Sequence, residues 1–331
     1  MPRIYRGYND NCRILSTLNM VMKKIFLFIF LCGLWQNAMG QQAVYLFSFF
    51  KDNGQDGLHL AYSDDGYDWK ELNNGRSFLT PTAGEDKLMR DPCIIRGADS
   101  LFHMVWTVSW KEKSIGYASS TDLVHWSVQR EIPVMAQETG ALNCWAPEIT
   151  YDARRREYMI YWATTIPGRF KAGEAAGDDK YNHRLYYVTT KDFQQFTPAK
   201  LLYDPGFNVI DATIVPDHRR YIMLLKDETK TPAQKNIRRA ESKSLTGGYG
   251  KPSAPITGPY WAEGPTTLKL GNKWIVYFDK YTQHSYGAVE STDLKTWQDV
   301  SDKLSMPAGL RHGTVLVITR QEFDQLLKNS R

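Results

Sequence analysis

A short pattern, Ser/Thr-x-Asp followed by an aromatic residue, returns five times along this chain, and no other feature limits the fold as much. Ser63-Asp64-Asp65-Gly66-Tyr67-Asp68-Trp69 comes back as Ser120-Thr121-Asp122-Leu123-Val124-His125-Trp126 and as Ser291-Thr292-Asp293-Leu294-Lys295-Thr296-Trp297. Weaker copies run from Thr190 to Phe196 and from Ser242 to Leu245, the latter followed by Gly248-Tyr249. The copies are 57, 70, 52 and 49 residues apart, a period that belongs to solenoids, propellers or arrays. Their chemistry is that of a turn: the Ser/Thr and Asp side chains satisfy nearby backbone N–H groups, and the aromatic residue covers the next strand. Trp69, Trp126 and Trp297 are therefore read as structural.

Each copy follows a short strand-like run, such as Leu58 to Tyr62, Ile115 to Ala118 or Tyr286 to Val289. Upstream of four copies lies a richer apolar run: Phe102 to Trp106, Tyr158 to Trp162, Tyr221 to Leu225 and Trp274 to Phe278. Runs of that kind suit strands packed on both faces. Ahead of each comes a third strand with an acid at its start, beginning at Asp91, Glu148, Asp211 and Glu263. The run His312 to Ile318 has an inner strand with no successors, while Tyr45 to Phe50 and Leu58 to Tyr62 have no inner strand before them. Joining these pieces makes a fifth sheet and closes a ring, which removes open sheet edges. The pattern predicts an all-β, five-bladed β-propeller closed by pairing of its N- and C-terminal strands. A β-sandwich has similar turn signals but leaves that complementarity unexplained. Thr319-Arg320-Gln321-Glu322 reads as a capping box opening a short C-terminal helix through Leu327.

The domain division follows from the first 40 residues. Lys23-Lys24, an apolar run from Ile25 to Trp35 and Ala38-Met39-Gly40 read as a secretory signal peptide, with translation starting at Met20 or Met22. The apolar run is shorter than the roughly 20 residues a spanning helix needs. Residues 41–331 are then the propeller domain of a secreted or periplasmic protein. Lipid attachment at Cys32 is disfavoured by the bulk of Leu31 before it. Most of the formal charge of +5 sits in the leader, and residues 41–331 carry 36 basic against 35 acidic residues. That balance excludes an electrostatic case for nucleic acid or anionic membrane. Cys93 and Cys144 are read as buried and unpaired, and no CxxC or HExxH spacing supports zinc. Aromatic residues make up 13% of the chain, a supply that suits both strands and the flat faces of sugar rings.

The inner-strand starts Asp91, Glu148, Asp211, Glu263 and His312 place four acids and a histidine at equivalent positions, which predicts one shared pocket. Around them stand Arg90-Asp91-Pro92, Trp145-Ala146-Pro147-Glu148-Ile149, Val209-Ile210-Asp211, Ala262-Glu263-Gly264-Pro265 and Arg311-His312-Gly313. In this order and at blade spacing, these motifs resemble the family-43 glycoside hydrolases and their clan of five-bladed arabinanases, β-xylosidases and fructan hydrolases. The likeness covers nearly all of residues 41–331.

The resemblance implies an inverting glycosidase acting on an oligosaccharide or polysaccharide, with α-L-arabinofuranosidase or β-xylosidase the first expectation. It implies Asp91 as general base, Glu263 as general acid, and Asp211 as the residue that raises the pKa of Glu263 and orients it. It requires no cofactor, but His312 implies calcium in the channel as an option. Glu148 is read as pocket-lining or structural. Trp145 and Trp261 are expected at the pocket mouth as sugar platforms, and Arg90 and Arg311 either bind hydroxyls or balance charge. Trp106 is assigned to the core. The segment Gly168 to His183 is either a substrate-facing loop or a solvated connector. A monomer is expected. Two alternatives stay open: a retaining fructan-type hydrolase, disfavoured because no Asn-Asp-Pro precedes the Arg-Asp-Pro, and a glycan-binding propeller without catalysis.

Overall fold

A computed structural model describes residues 43–174 and 180–330. The leader reading for residues 1–40 lies outside them. Among the described residues, five antiparallel sheets account for nearly all regular structure. The first four blades open with inner strands Arg90–Arg96, Trp145–Asp152, Val209–Asp217 and Glu263–Leu270. The fifth blade is the expected composite: Arg311–Thr319 pairs with Ala43–Phe50, which pairs with His59–Ser63 and then Lys70–Glu71. Four blades have four strands and the third has three.

The second strands show why the sheets arrange as a ring. Successive side chains in a strand point to opposite faces, so a continuous apolar run has two faces to bury. Met104 and Trp106 pack towards the closing blade, while Val105 between them packs towards the second blade. Ile160 and Trp162 face the first blade, and Met159 and Tyr161 face the third. Ile222 and Leu224 meet Val276 and Phe278, whereas Ile275 and Tyr277 turn to Phe47 and Phe49 of the closing blade. Five apolar clusters thus fill five interfaces and return to the start. A two-sheet sandwich has no such cycle.

The repeated turns are built as their composition implies. Ser63 Oγ accepts from the Gly66 N–H at 2.8 Å, Ser120 Oγ from Leu123 at 2.8 Å and Thr190 Oγ1 from Phe193 at 2.9 Å. Asp65, Asp122, Asp192 and Asp293 each accept from the N–H groups two and three residues on. The Trp69 and Trp126 indoles donate back to the turn carbonyls of Gly66 and Leu123, both at 3.1 Å. Helix α1, Arg320–Asn329, has the full capping box between Thr319 and Glu322 and runs two residues past the expected end. Cys93 and Cys144 are free and buried.

Candidate active site

The inner strands share a defect that builds the site. In each sheet the pairing slips near the start of the inner strand: between Arg90 and Cys93, Trp145 and Glu148, Ile210 and Thr213, Glu263 and Thr266, and opposite Ser48 and Phe50 for Arg311 and Thr314. Such bulges re-aim side chains and interrupt the ladder. Asp91, Ala146, Asp211 and Gly264 occupy the bulge with φ of 54°, 47°, 52° and 59°.

The register therefore sorts the channel into three tiers. The outer tier holds Arg90, Trp145, Ile210, Glu263 and Arg311; the bulge tier holds Asp91, Ala146, Asp211, Gly264 and His312; the inner tier holds Cys93, Glu148, Thr213, Thr266 and Thr314. This corrects the expectation that four acids and a histidine are equivalent. Asp91, Asp211 and His312 are equivalent, while Glu263 stands one residue earlier and Glu148 two residues later than its bulge.

Contacts follow the tiers. In the bulge tier, His312 Nδ1 lies 3.1 Å from Asp91 and 4.0 Å from Asp211. The imidazole lies against Gly264, where a Cβ would stand only 2.4 Å from the ring. Thr107 donates to Asp91 at 2.8 Å and accepts from the Ala146 N–H at 2.8 Å, and the Gly264 N–H donates to Asp211 at 3.1 Å. In the inner tier, the Thr213 and Thr314 hydroxyls donate to Glu148 at 3.2 and 3.3 Å. Glu148 lies below the pocket floor and is structural.

Above the bulge tier opens a cavity of about 320 Å³. Asp91, Asp211, Glu263, Arg90, Trp145 and His312 all line it, as do Trp110, Tyr181, His183, Lys226 and Glu228. One wall is aromatic: Trp145 meets Trp110 edge-on at 5.3 Å and Tyr181 at 4.7 Å, and its indole donates to the Trp110 carbonyl. The Arg90 guanidinium lies 4.4 Å over Trp110 and donates to Asn53. Tyr181 and His183 come from the end of the Gly168 to His183 insertion, so that end reaches the pocket.

Burial drives the protonation states, with charged neighbours correcting it. Asp91 would be raised by burial, but His312 and then Arg90 bring it down to about 2. Burial carries Asp211 up to about 6 despite His312 and Lys226, with the charges of Glu263 and Asp91 adding to the rise. Burial disfavours the His312 cation, yet Asp211 and Asp91 bring it up to about 9. Glu263 reverses the expectation that Asp211 would raise it. Burial pushes its carboxyl up, but Lys226 at 2.9 Å, then Arg311 at 3.1 Å, outweigh that and hold it below the usual range.

A calcium ion does not fit this donor set. Of the two imidazoles lining the cavity, His312 is committed to Asp91 and His183 to Asn208, the acids are committed to hydroxyls, N–H groups or cations, and among the described residues no three His, Cys, Asp or Glu side chains are grouped to hold a metal.

A family model described as "Probable glycosyl hydrolase domain", of the kind related to glycoside hydrolase family 43, matches residues 41–324. The chain belongs to this family. That is the family-43-related kinship the five motifs implied. An α-L-arabinofuranosidase of Bifidobacterium longum subsp. longum is 25% identical over 258 residues, covering 66% of this chain and 24% of that protein. The chain thus spans about a quarter of that relative's length. A thermostable family-43 glycoside hydrolase superposes with a TM-score of 0.52 at 17% identity, over 68% of this chain and 78% of the other. An α-L-arabinofuranosidase from Lactobacillus brevis gives 0.50 at 19% identity, over 64% and 72%. These likenesses show the propeller fold.

Two residues expected beside the sugar, Trp261 and Arg311, do not line this cavity. Trp261 is 41% exposed, with its ring 6.0 Å from that of Tyr281. Arg311 lies behind Glu263, held by Asp279 at 2.7 Å, and lines a neighbouring cavity instead. It balances charge. Trp106 is fully buried, as assigned. Lys226 and Glu228 escaped the sequence reading, although a lysine ending the apolar run Tyr221 to Leu225 was a signal.

Proposed function

We propose that this protein is an exported, inverting glycosidase that releases a terminal sugar from an oligosaccharide or polysaccharide, with Asp91 as general base and Glu263 as general acid. The observation that carries this reading is the convergence of Asp91, Asp211 and Glu263 on one cavity with an aromatic wall. An inverting enzyme needs one ionised carboxylate to activate water and another carboxyl to protonate the leaving oxygen, roughly 6.5–9.5 Å apart. Asp91, ionised down to about pH 2, suits the first task. His312 and Thr107 hold its two oxygens in place. Glu263 suits the second because it lines the same cavity from the outer tier, one tier away from Asp91. Asp211, through its hydrogen bond from Gly264, braces the backbone that carries Glu263.

Trp145, Trp110 and Tyr181 offer ring faces to a sugar, and a cavity at the lower end of the usual ligand range suits one monosaccharide. The names of the Bifidobacterium and Lactobacillus proteins favour an α-L-arabinofuranoside as substrate, with a β-xyloside second. Export rests on the leader pattern of residues 22–40. A monomer acting on soluble fragments completes the reading.

The test is hydrolysis of aryl α-L-arabinofuranoside, β-xyloside, β-galactoside and α-fucoside by wild type, Glu263→Gln and Asp91→Asn. Activity on one sugar should fall at least about 100-fold in Asp91→Asn, the scale of general-base catalysis. Glu263→Gln should fall further on an unactivated oligosaccharide than on the aryl substrate. NMR of the first product should show the inverted anomer; a retained anomer sinks the inverting mechanism.

A further inference from the structure

Lys226 is the least expected side chain in the pocket. It is the penultimate residue of the second strand of the third blade, opposite Ile210, is 2% exposed, and lies 4.6 Å from the centroid of the Tyr281 ring. Its ammonium sits between two carboxylates: Glu263 Oε2 at 2.9 Å and Glu228 Oε2 at 2.6 Å. Glu228 is held in turn by Lys235. Arg311 takes the other oxygen of Glu263, so both oxygens of the proposed acid are engaged by cations. A general acid must meet the glycosidic oxygen protonated, and a carboxyl gripped in this way cannot do so.

We propose that Lys226, anchored by Glu228, is a positioning residue that controls when Glu263 carries a proton. Before sugar binds, Lys226 pins the Glu263 carboxyl and keeps it ionised. When the leaving-group oxygen arrives at Oε2, Lys226 falls back on Glu228, and Glu263 takes a proton from solvent while Lys226 keeps its own. The water excluded by the sugar strengthens the change, because burial favours the neutral carboxyl. This inference rests on the reading of Glu263 as the acid. Glu263 also faces Asp279, Tyr281 and Tyr286 on its own blade and, from the bulge tier, Asp211 and His312. Those groups remain in every variant below, so they do not account for a difference among them.

The experiment compares Lys226→Met, Lys226→Arg and Glu228→Gln with wild type by two readouts. One is the pH dependence of kcat/KM on the aryl glycoside that wild type cleaves. The other is direct titration of Glu263 by NMR of protein labelled with ¹³C-carboxyl glutamate, its resonance identified by loss in Glu263→Gln. Lys226→Met should move the Glu263 titration and the basic limb of the rate profile up by about one pH unit or more. Lys226→Arg should leave both near wild type. Glu228→Gln removes the competing anchor and should move both down. Shifts of opposite sign from two touching residues are not a product of general destabilisation.

The proposal is overturned by a Glu263 titration unchanged in Lys226→Met, or by shifts of the same sign in Lys226→Met and Glu228→Gln. Where Lys226→Met fails to fold, an unmoved titration in Glu228→Gln overturns it. Titration shifts as expected with an unmoved basic limb would keep the hold of Lys226 on Glu263 and strike only the assignment of Glu263 as acid.

Discussion

Each acid in the channel takes its protonation from its tier. Asp91 shares the bulge tier with His312 and stays ionised, whereas Glu148 in the inner tier is bonded to hydroxyls and the more distant charge of His312 only partly offsets its burial. Burial therefore carries Glu148 up to about 7. Its pKa is higher folded than unfolded, so the native state binds the extra proton between about pH 4.5 and 7 and loses stability as pH rises through that window. The loss amounts to about 3 kcal/mol at most. Glu148→Gln keeps the hydroxyl contacts without the charge, so its stability should fall less from pH 5 to pH 8. Urea midpoints at the two pH values check this, and parallel falls in both proteins would refute it. Lys226 marks where residue-level reading stopped. The run Tyr221 to Leu225 ends in Lys226-Asp227 much as Trp274 to Phe278 ends in Asp279-Lys280, yet its partner Glu263 lies 37 residues on, in another blade. Spacing along one chain does not show which charged strand ends meet across a channel.

The bulged inner strand is the element that turns a repeat into a site. It aims one bulge residue per blade at the channel, which is why motifs of unlike sequence converge. The turns and second strands were legible because their patterns are local: Ser/Thr-x-Asp bonds its own backbone, and a buried strand is apolar throughout. The tiers were not, since a bulge shifts the register by a residue without changing composition, and Glu263 and Glu148 looked equivalent to Asp91. Gly264 is the consequence that tests this. Its φ of 59° only penalises a Cβ, as the neighbouring bulges with Asp91, Ala146 and Asp211 show, but the His312 ring leaves no room for one. Gly271 has nearly the same φ, 60°, but nothing within 4 Å of an added Cβ. Gly271→Ala should cost about 1–2 kcal/mol, the left-handed backbone penalty alone. Gly264→Ala should cost more and also lower kcat, because the displaced imidazole no longer holds Asp91. Equal losses of stability and unchanged kcat in both would mean that the ring contact is incidental.

Ring closure is a property of the whole molecule, and it ties stability to the site. The strand Arg311–Thr319 pairs with Ala43–Phe50 from Ala43 opposite Thr319 through Ser48 opposite Thr314. The same strand supplies Arg311 to Glu263 and His312 to Asp91. Without it, Ala43–Phe50 would present an open edge, two of the five apolar interfaces would lose the strand's support, and Glu263 and Asp91 would each lose one of their cations. A chain ending at Gly309 should therefore lose its single cooperative thermal transition and aggregate through the exposed edge. A chain ending at Gln321 makes the contrast. It loses Phe323 and Leu326, both buried against the closing blade, a burial term of about 3–6 kcal/mol. It keeps the inner strand and everything that lines the pocket. Its melting temperature should drop while one cooperative transition and near-wild-type kcat persist. Calorimetry with light scattering separates the two cases. A monomeric, cooperatively melting protein that ends at Gly309 would show that the first four blades hold together unaided, and that the fifth serves the site alone.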